Sequence, residues 1–141
     1  MTLMLVDVGA NMMLEALFNN VWPAGGKNLT LKLFATDVTP AHDDVVGDYT
    51  EAAGGGYVTK TLTNGSWTVN ANDPRDATYA QQTWTFTGPL TTNGTIYGYF
   101  IVDADGVLVY AEKLGTPFTP AINGDFLKVT PKFQLSHGTP A

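Results

Sequence analysis

The chain contains no cysteine, which excludes disulfide stapling, thiolate metal sites and cysteine nucleophiles at the outset. Serine and histidine are nearly as scarce: Ser66, Ser136, His42 and His137 are the full complement. A hydrolytic triad needs a nucleophile, a base and an orienting group in mutual reach, and neither serine sits in a strand-turn-helix elbow. A threonine nucleophile would need an activating amine or base at a processed terminus, and nothing in the sequence signals one. Basic residues are few and isolated. Lys27, Lys32, Lys60, Arg75, Lys113, Lys128 and Lys132 stand against 13 acidic residues, for a net charge of -6. Without a basic stripe there is no footprint for phosphates, so no nucleic-acid partner is expected. No run approaches the roughly 18 apolar residues that cross a bilayer, and no membrane association is expected. Residues 1–6 are apolar but short, lack a basic leader and are followed by Asp7, so they do not read as a signal peptide.

What is present points to a β protein. Charged residues make up only 14% of the chain, against roughly 25% in an average soluble protein, and glycine, threonine and asparagine fill the polar positions. At 141 residues and 44% hydrophobic, the chain is large enough for one domain with its own core. Residues 9–20 form the one helical pattern. There Met13, Leu14, Leu17 and Phe18 recur at helical spacing, Asp7 stands upstream as a cap, and Asn19, Asn20, Pro23 and Gly25-Gly26 end the pattern. A short amphipathic helix of about three turns is expected.

After Gly26 the period changes to two. Leu29, Leu31 and Leu33 alternate with Thr30, Lys32 and Phe34, as a strand with one buried face requires. Further strands are expected over 57–63, 66–70, 79–87, 95–103, 107–113 and 126–135. Asn64-Gly65 reads as a type I′ hairpin, and Asp103-Ala104-Asp105-Gly106 as the clearest hairpin in the chain. Asn93-Gly94 and Asn123-Gly124 mark two more turns. Short strands at this spacing, with no helical pattern between them, predict a mainly β fold: an antiparallel β-sandwich, jelly-roll-like, with a short N-terminal helical arm. The expected organisation is an arm over 1–27, a β-sandwich domain over 28–136 and a tail over 137–141.

The one long connection, 36–56, carries Asp37, Asp43, Asp44, Asp48 and Glu51, with His42 among them, and ends in Gly54-Gly55-Gly56. Connections of this length usually carry function. Its carboxylates could gather calcium, but such clusters more often face water. Asp103-Ala104-Asp105-Gly106 opens like a calcium loop, but an apolar strand follows where further oxygen ligands belong. A pair of acids with aromatic walls would suit a glycosidase, but a working acid needs a buried setting, and these acids sit in polar loops. No metal, no cofactor and no catalytic residues are expected. Trp84 with Phe86, and Tyr97 with Tyr99, each share a strand face, which suits either a sugar platform or the interior.

From Leu31-Lys32-Leu33-Phe34-Ala35-Thr36-Asp37-Val38-Thr39-Pro40 onward the chain resembles a group of small structural proteins of tailed bacteriophages. The resemblance continues through Tyr49-Thr50-Glu51-Ala52, Gly56-Tyr57, Trp67 and Phe86-Thr87-Gly88-Pro89. It then takes in the strand from Ile96 to Asp103, Tyr110-Ala111-Glu112-Lys113-Leu114, Ile122-Asn123-Gly124-Asp125 and Val129-Thr130-Pro131, so it covers most of 29–135. It transfers no active site. It implies a non-enzymatic virion protein, of the capsid cement (decoration) or head-spike type; the reading taken is a cement protein on the capsid exterior that bridges and stabilises major capsid subunits. The alternatives are a tail or fibre adaptor of the same virion, or a carbohydrate-binding module for host recognition. The expected partners are the major capsid protein or other virion proteins, with a homotrimer as the oligomer. The expected contact residues are Leu14, Leu17, Phe18 and Trp22 on the arm and Asp43, Asp44 and Asp48 in the acidic loop.

Overall fold

The computed structural model describes residues 7–9, 13, 28–71 and 76–134, together with the backbone of 3–5. Within them the chain is mainly β and antiparallel, as the period-two patterning predicts. The strands are β1 (Leu3–Leu5), β2 (Leu29–Phe34), β3 (Lys60–Leu62), β4 (Thr68–Asn70), β5 (Asp76–Thr78), β6 (Gln82–Thr85), β7 (Ile96–Val102), β8 (Leu108–Phe118), β9 (Phe126–Val129) and β10 (Lys132–Gln134).

Five of them form one sheet in the order β1-β8-β7-β2-β3. Its centre is the β7–β8 hairpin, closed where Asp103 N–H donates to the Val107 carbonyl at 3.0 Å and Gly106 N–H to the Asp103 carbonyl at 3.1 Å. Asp103 is buried because its Oδ1 accepts the Asp105 and Val107 amides, both at 2.9 Å. This is the hairpin the sequence marks most clearly, and the Asp103 carboxylate serves backbone donors in it. β8 runs on to Phe118, past the expected end at 113, and pairs Ile96 with Phe118 at the far end of β7.

The remaining strands form a ribbon. β5 pairs with β10 and β6 with β9, and β4 adds to the free side of β5. The two ladders are separate sheets that follow one another along the same two stretches of chain. Thr78 opposes Lys132 and Gln82 opposes Val129, so residues 79–81 face 130 and 131 across a one-residue bulge, bridged by Tyr79 N–H on the Pro131 carbonyl. Pro131 has no amide to give the ladder, which divides the expected strand 126–135 into β9 and β10; Leu135 lies outside the described residues. The Asn64-Gly65 hairpin is not formed. A turn is present, with Ser66 N–H on the Thr63 carbonyl, but Gly65 alone has positive φ, and β3 and β4 leave it for different sheets.

Two apolar clusters flank the large sheet. In the first, Leu31, Leu33, Tyr99, Ile101 and Tyr110 meet Tyr79, Trp84, Phe86 and Val129 from the ribbon. In the second, on the opposite face, Phe34, Phe100, Val102, Leu108 and Ala111 pack with Tyr49. Phe34 is therefore buried, contrary to the one-sided reading of β2. Tyr97 and Tyr99 likewise belong to opposite clusters, because a register shift between Ile96 and Gly98 breaks the alternation.

Residues 3–5 pair with β8, Leu3 opposite Glu112 and Leu5 opposite Tyr110, so the start of the expected arm is an edge strand of the main sheet. Residues 7–9 and 13 are helical, with Asp7 already inside the helical segment. The rest of the expected helix 9–20 lies outside the described residues, as do Leu14, Leu17, Phe18 and Trp22. Among the described residues no helix is long and apolar enough to cross a membrane.

Gly98 marks the tightest contact between β7 and its surroundings. A Cβ there would stand 2.3 Å from both the Phe34 ring and the Glu112 carbonyl oxygen. Gly98→Ala is expected to lower stability by about 1–3 kcal/mol in urea denaturation, and Phe34→Leu in the same chain to recover part of that loss.

Candidate functional site: the clamped acidic loop

The loop after β2 is held at its base by backbone pairing. Ala35 N–H donates to the Thr50 carbonyl at 2.8 Å and Ala52 N–H to the Leu33 carbonyl at 2.9 Å, while Thr36 Oγ1 accepts the Thr50 amide at 2.8 Å. The returning chain thus continues the edge of β2 beyond β3, with Phe34 opposite Glu51. At its tip, residues Val46–Asp48 form a single 3-10 turn, in which Asp48 Oδ2 accepts the Val45 amide at 2.8 Å. Short polar side chains commonly close helix starts in this way.

Tyr49 is the anchor. Its ring is buried, stacked on Phe100 at 5.5 Å and edge-on to Phe34 at 5.0 Å. Its hydroxyl donates to Asp44 Oδ2 at 2.5 Å, and the same oxygen accepts the Ala41 amide at 2.8 Å. Aromatic pairs of this geometry add about 0.5–1.5 kcal/mol beyond area burial. Burial, then the hydrogen bond to Asp44, raises the Tyr49 hydroxyl well above the ordinary phenol range. Lys113 on β8 clasps Asp37 at 2.6 Å, and Asp7 reaches the loop from the other side, its amide on the His42 carbonyl at 2.9 Å.

The expected contact acids therefore divide. Asp44 is spent on Tyr49 and Ala41, and Asp48 on Val45. Asp43 alone is exposed with no hydrogen bond or ion pair among the described residues. Beside it the loop presents two apolar side chains that charge counting overlooked, Val45 at 53% and Val46 at 40% exposure. The signal was a Val-Val pair in an acidic segment. The anchor was missed too, although Tyr49 is the one aromatic residue in 36–56.

Past the tip, Glu51 binds Lys32 at 3.0 Å and accepts the Tyr57 hydroxyl at 3.1 Å, and that hydroxyl in turn accepts the Leu33 amide. Gly54, Gly55 and Gly56 all have positive φ, and a Cβ on Gly55 would lie 2.5 Å from the Gly88 carbonyl oxygen. This glycine run lets the chain lie flush on the connection between β6 and β7, joined by Thr87 N–H on the Gly55 carbonyl.

Trp84 and Phe86 are core residues, and Trp84 Nε1–H donates to the Val58 carbonyl at 2.7 Å; Trp67 is half-buried, edge-on to Tyr79. Of the acids, Asp76 is buried against Asn70 and Lys132, and Glu112 accepts the Tyr99 hydroxyl. Among the described residues no three His, Asp or Glu side chains are grouped to hold a metal. Comparison with protein-family models, with curated proteins and with solved structures gave no match.

Two outcomes follow for the anchor. Tyr49→Phe is expected to cost about 1 kcal/mol through the lost hydrogen bond, and Tyr49→Ala about 3–5 kcal/mol, with amide exchange at Val45 to Asp48 faster in both. Burial also raises Tyr57, Tyr99 and Tyr110. A raised folded pKa gives stability that is whole below the unfolded value and lost as pH rises, so stability should fall as pH passes about 10. Phenolate absorbance from these four tyrosines should appear together with unfolding in an alkaline titration.

Proposed function

We propose that the protein is a non-enzymatic structural component of a tailed-phage virion, a cement protein on the capsid exterior that binds the major capsid protein. The observation that carries this reading is the clamped loop. A segment anchored by a buried aromatic and internal carboxylate bonds holds Val45 and Val46 outward beside Asp43, with its ordering entropy already met within the chain. Such a tip suits adhesion to a partner with an apolar recess and a basic rim. The resemblance over 29–135 supports the virion setting.

In this reading the five-stranded sheet and the bulged ribbon are the two sheets of a jelly-roll-like sandwich, since both line the first cluster. The oligomer is a trimer seated at local three-fold positions. Each contact is modest, and the lattice makes many of them effective together.

Quantitative mass spectrometry of purified virions tests the assignment. Copies in the hundreds, comparable with the major capsid protein, support cement. A dozen or so would place the chain at the tail or fibre, and absence from the particle would overturn the structural role. For the tip, Val45→Asp with Val46→Asp is expected to weaken capsid attachment by at least about tenfold with an unchanged melting temperature. Added salt should weaken it as well, because the exposed Asp43 is screened beyond a Debye length of about 8 Å.

A further inference from the structure

The chain carries three Asn-Gly pairs, at 64–65, 93–94 and 123–124. Each has the same intrinsic chemistry. The backbone nitrogen of the glycine can attack Cγ of the asparagine, because glycine has no side chain to obstruct the approach. The fold treats the three attacking nitrogens differently.

Gly94 N–H is committed to the Thr92 carbonyl at 2.7 Å, and the Asn93 side chain is tied down as well, Nδ2 donating to the Ala35 carbonyl at 3.0 Å. Gly124 N–H is committed to the Phe86 carbonyl at 2.9 Å, inside a turn where Asp125 Oδ2 accepts the Ala121 and Ile122 amides at 2.7 and 3.0 Å. Those two amides hold the Asp125 carboxyl below its ordinary value. In both pairs the nitrogen must first leave its acceptor, and the turn must open around it.

Gly65 is different. Its N–H makes no hydrogen bond among the described residues, and neither does the Asn64 side chain. Residues 63 to 66 are all exposed, and a Cβ built on Gly65 would meet nothing within 4 Å. Within the turn the one bond is Ser66 N–H on the Thr63 carbonyl at 3.2 Å; Thr63 N–H on the Tyr79 hydroxyl at 2.9 Å and Asn64 N–H on Asn28 Oδ1 at 2.8 Å hold its first half from outside, and no ladder continues past it, since β3 and β4 belong to separate sheets. None of these bonds engages the Gly65 nitrogen or the Asn64 side-chain amide, and an exposed tip of this kind rearranges at low cost.

We propose that Asn64 is a site of spontaneous deamidation, selected by the fold from three otherwise equivalent pairs. The Gly65 nitrogen bonds to Asn64 Cγ, and Nδ2 departs as ammonia, taking the proton released from the Gly65 nitrogen. The resulting succinimide is opened by water at either carbonyl, giving aspartate or isoaspartate at position 64. Either product adds a negative charge to a chain already at -6. Isoaspartate also inserts a methylene into the main chain beside the Asn64 amide, which donates to Asn28 Oδ1 at 2.8 Å and so ties this turn to the residue before β2.

The test is peptide mapping of the full chain after incubation at mildly alkaline pH. Cleavage after Lys60, Arg75, Lys113 and Lys128 puts the three pairs in three different tryptic peptides, and fragmentation locates the modified residue. In the native protein, Asn64 is expected to deamidate about tenfold or more faster than Asn93 or Asn123. In denaturant the three rates should converge, since the selection lies in the folded hydrogen bonds. Gly65→Ala should slow the native reaction at 64 and leave the other two unchanged. Equal native rates at the three pairs, faster reaction at Asn93 or Asn123, or an Asn64 that reacts only in denaturant would each overturn the proposal.

Discussion

Strand β7 is buried on both faces, and the rest of the architecture follows from covering it twice. From Tyr99 to Val102 its side chains alternate between two apolar clusters, with Tyr99 and Ile101 on one side and Phe100 and Val102 on the other. Antiparallel sheets commonly leave one face to water. Here the first face is closed by the bulged ribbon, and the second is closed in part by an irregular loop that delivers one tyrosine. The acidic loop is therefore a structural cover first, and whatever it presents outward is presented from a fixed base.

That double use explains the economy of charge. A chain with only 14% charged residues spends most of the acids of this loop on its own geometry: Asp37 on Lys113, Asp44 on Tyr49 and a backbone amide, Asp48 on the turn, Glu51 on Lys32 and Tyr57. What faces solvent at the tip is an apolar pair with Asp43 beside it, the one acid of the loop without a hydrogen bond or ion pair among the described residues. In the proposed adhesive role such a tip would depend on preorganisation, because a floppy loop would lose on binding the entropy this one gives up on folding.

Much of the β framework was legible in the residues. The period-two run at Leu29, the strand expected over 95–103 and the Asp103-Ala104-Asp105-Gly106 turn each act through neighbours in sequence, and each is present, the strand one residue shorter at either end as β7. Less of the site was legible. The acids marked the right segment, but which would be consumed depends on Tyr49 finding Phe34 and Phe100, contacts 15 and 51 residues away along the chain. Asn64-Gly65 shows the same limit from the other side: the dipeptide fixes a turn, and strand partners far away decide whether the turn closes a hairpin.

The sequence by itself determined the class of the protein: a chain without cysteine, poor in charge and basic residues, patterned for antiparallel strands joined by glycine and asparagine turns. These are local properties, set by side-chain sterics, backbone freedom and the pleat. Tertiary structure alone decided that Phe34 is buried behind the sheet, that Tyr97 and Tyr99 part company at a register shift, that Pro131 splits a strand, and that Val45 and Val46 stand outward while the Asp44 and Asp48 carboxylates bond back to the loop's own backbone. The reason is that burial and hydrogen bonding are settled between segments distant in sequence, where each donor and each apolar face takes the partner that the packing of the whole chain brings to it.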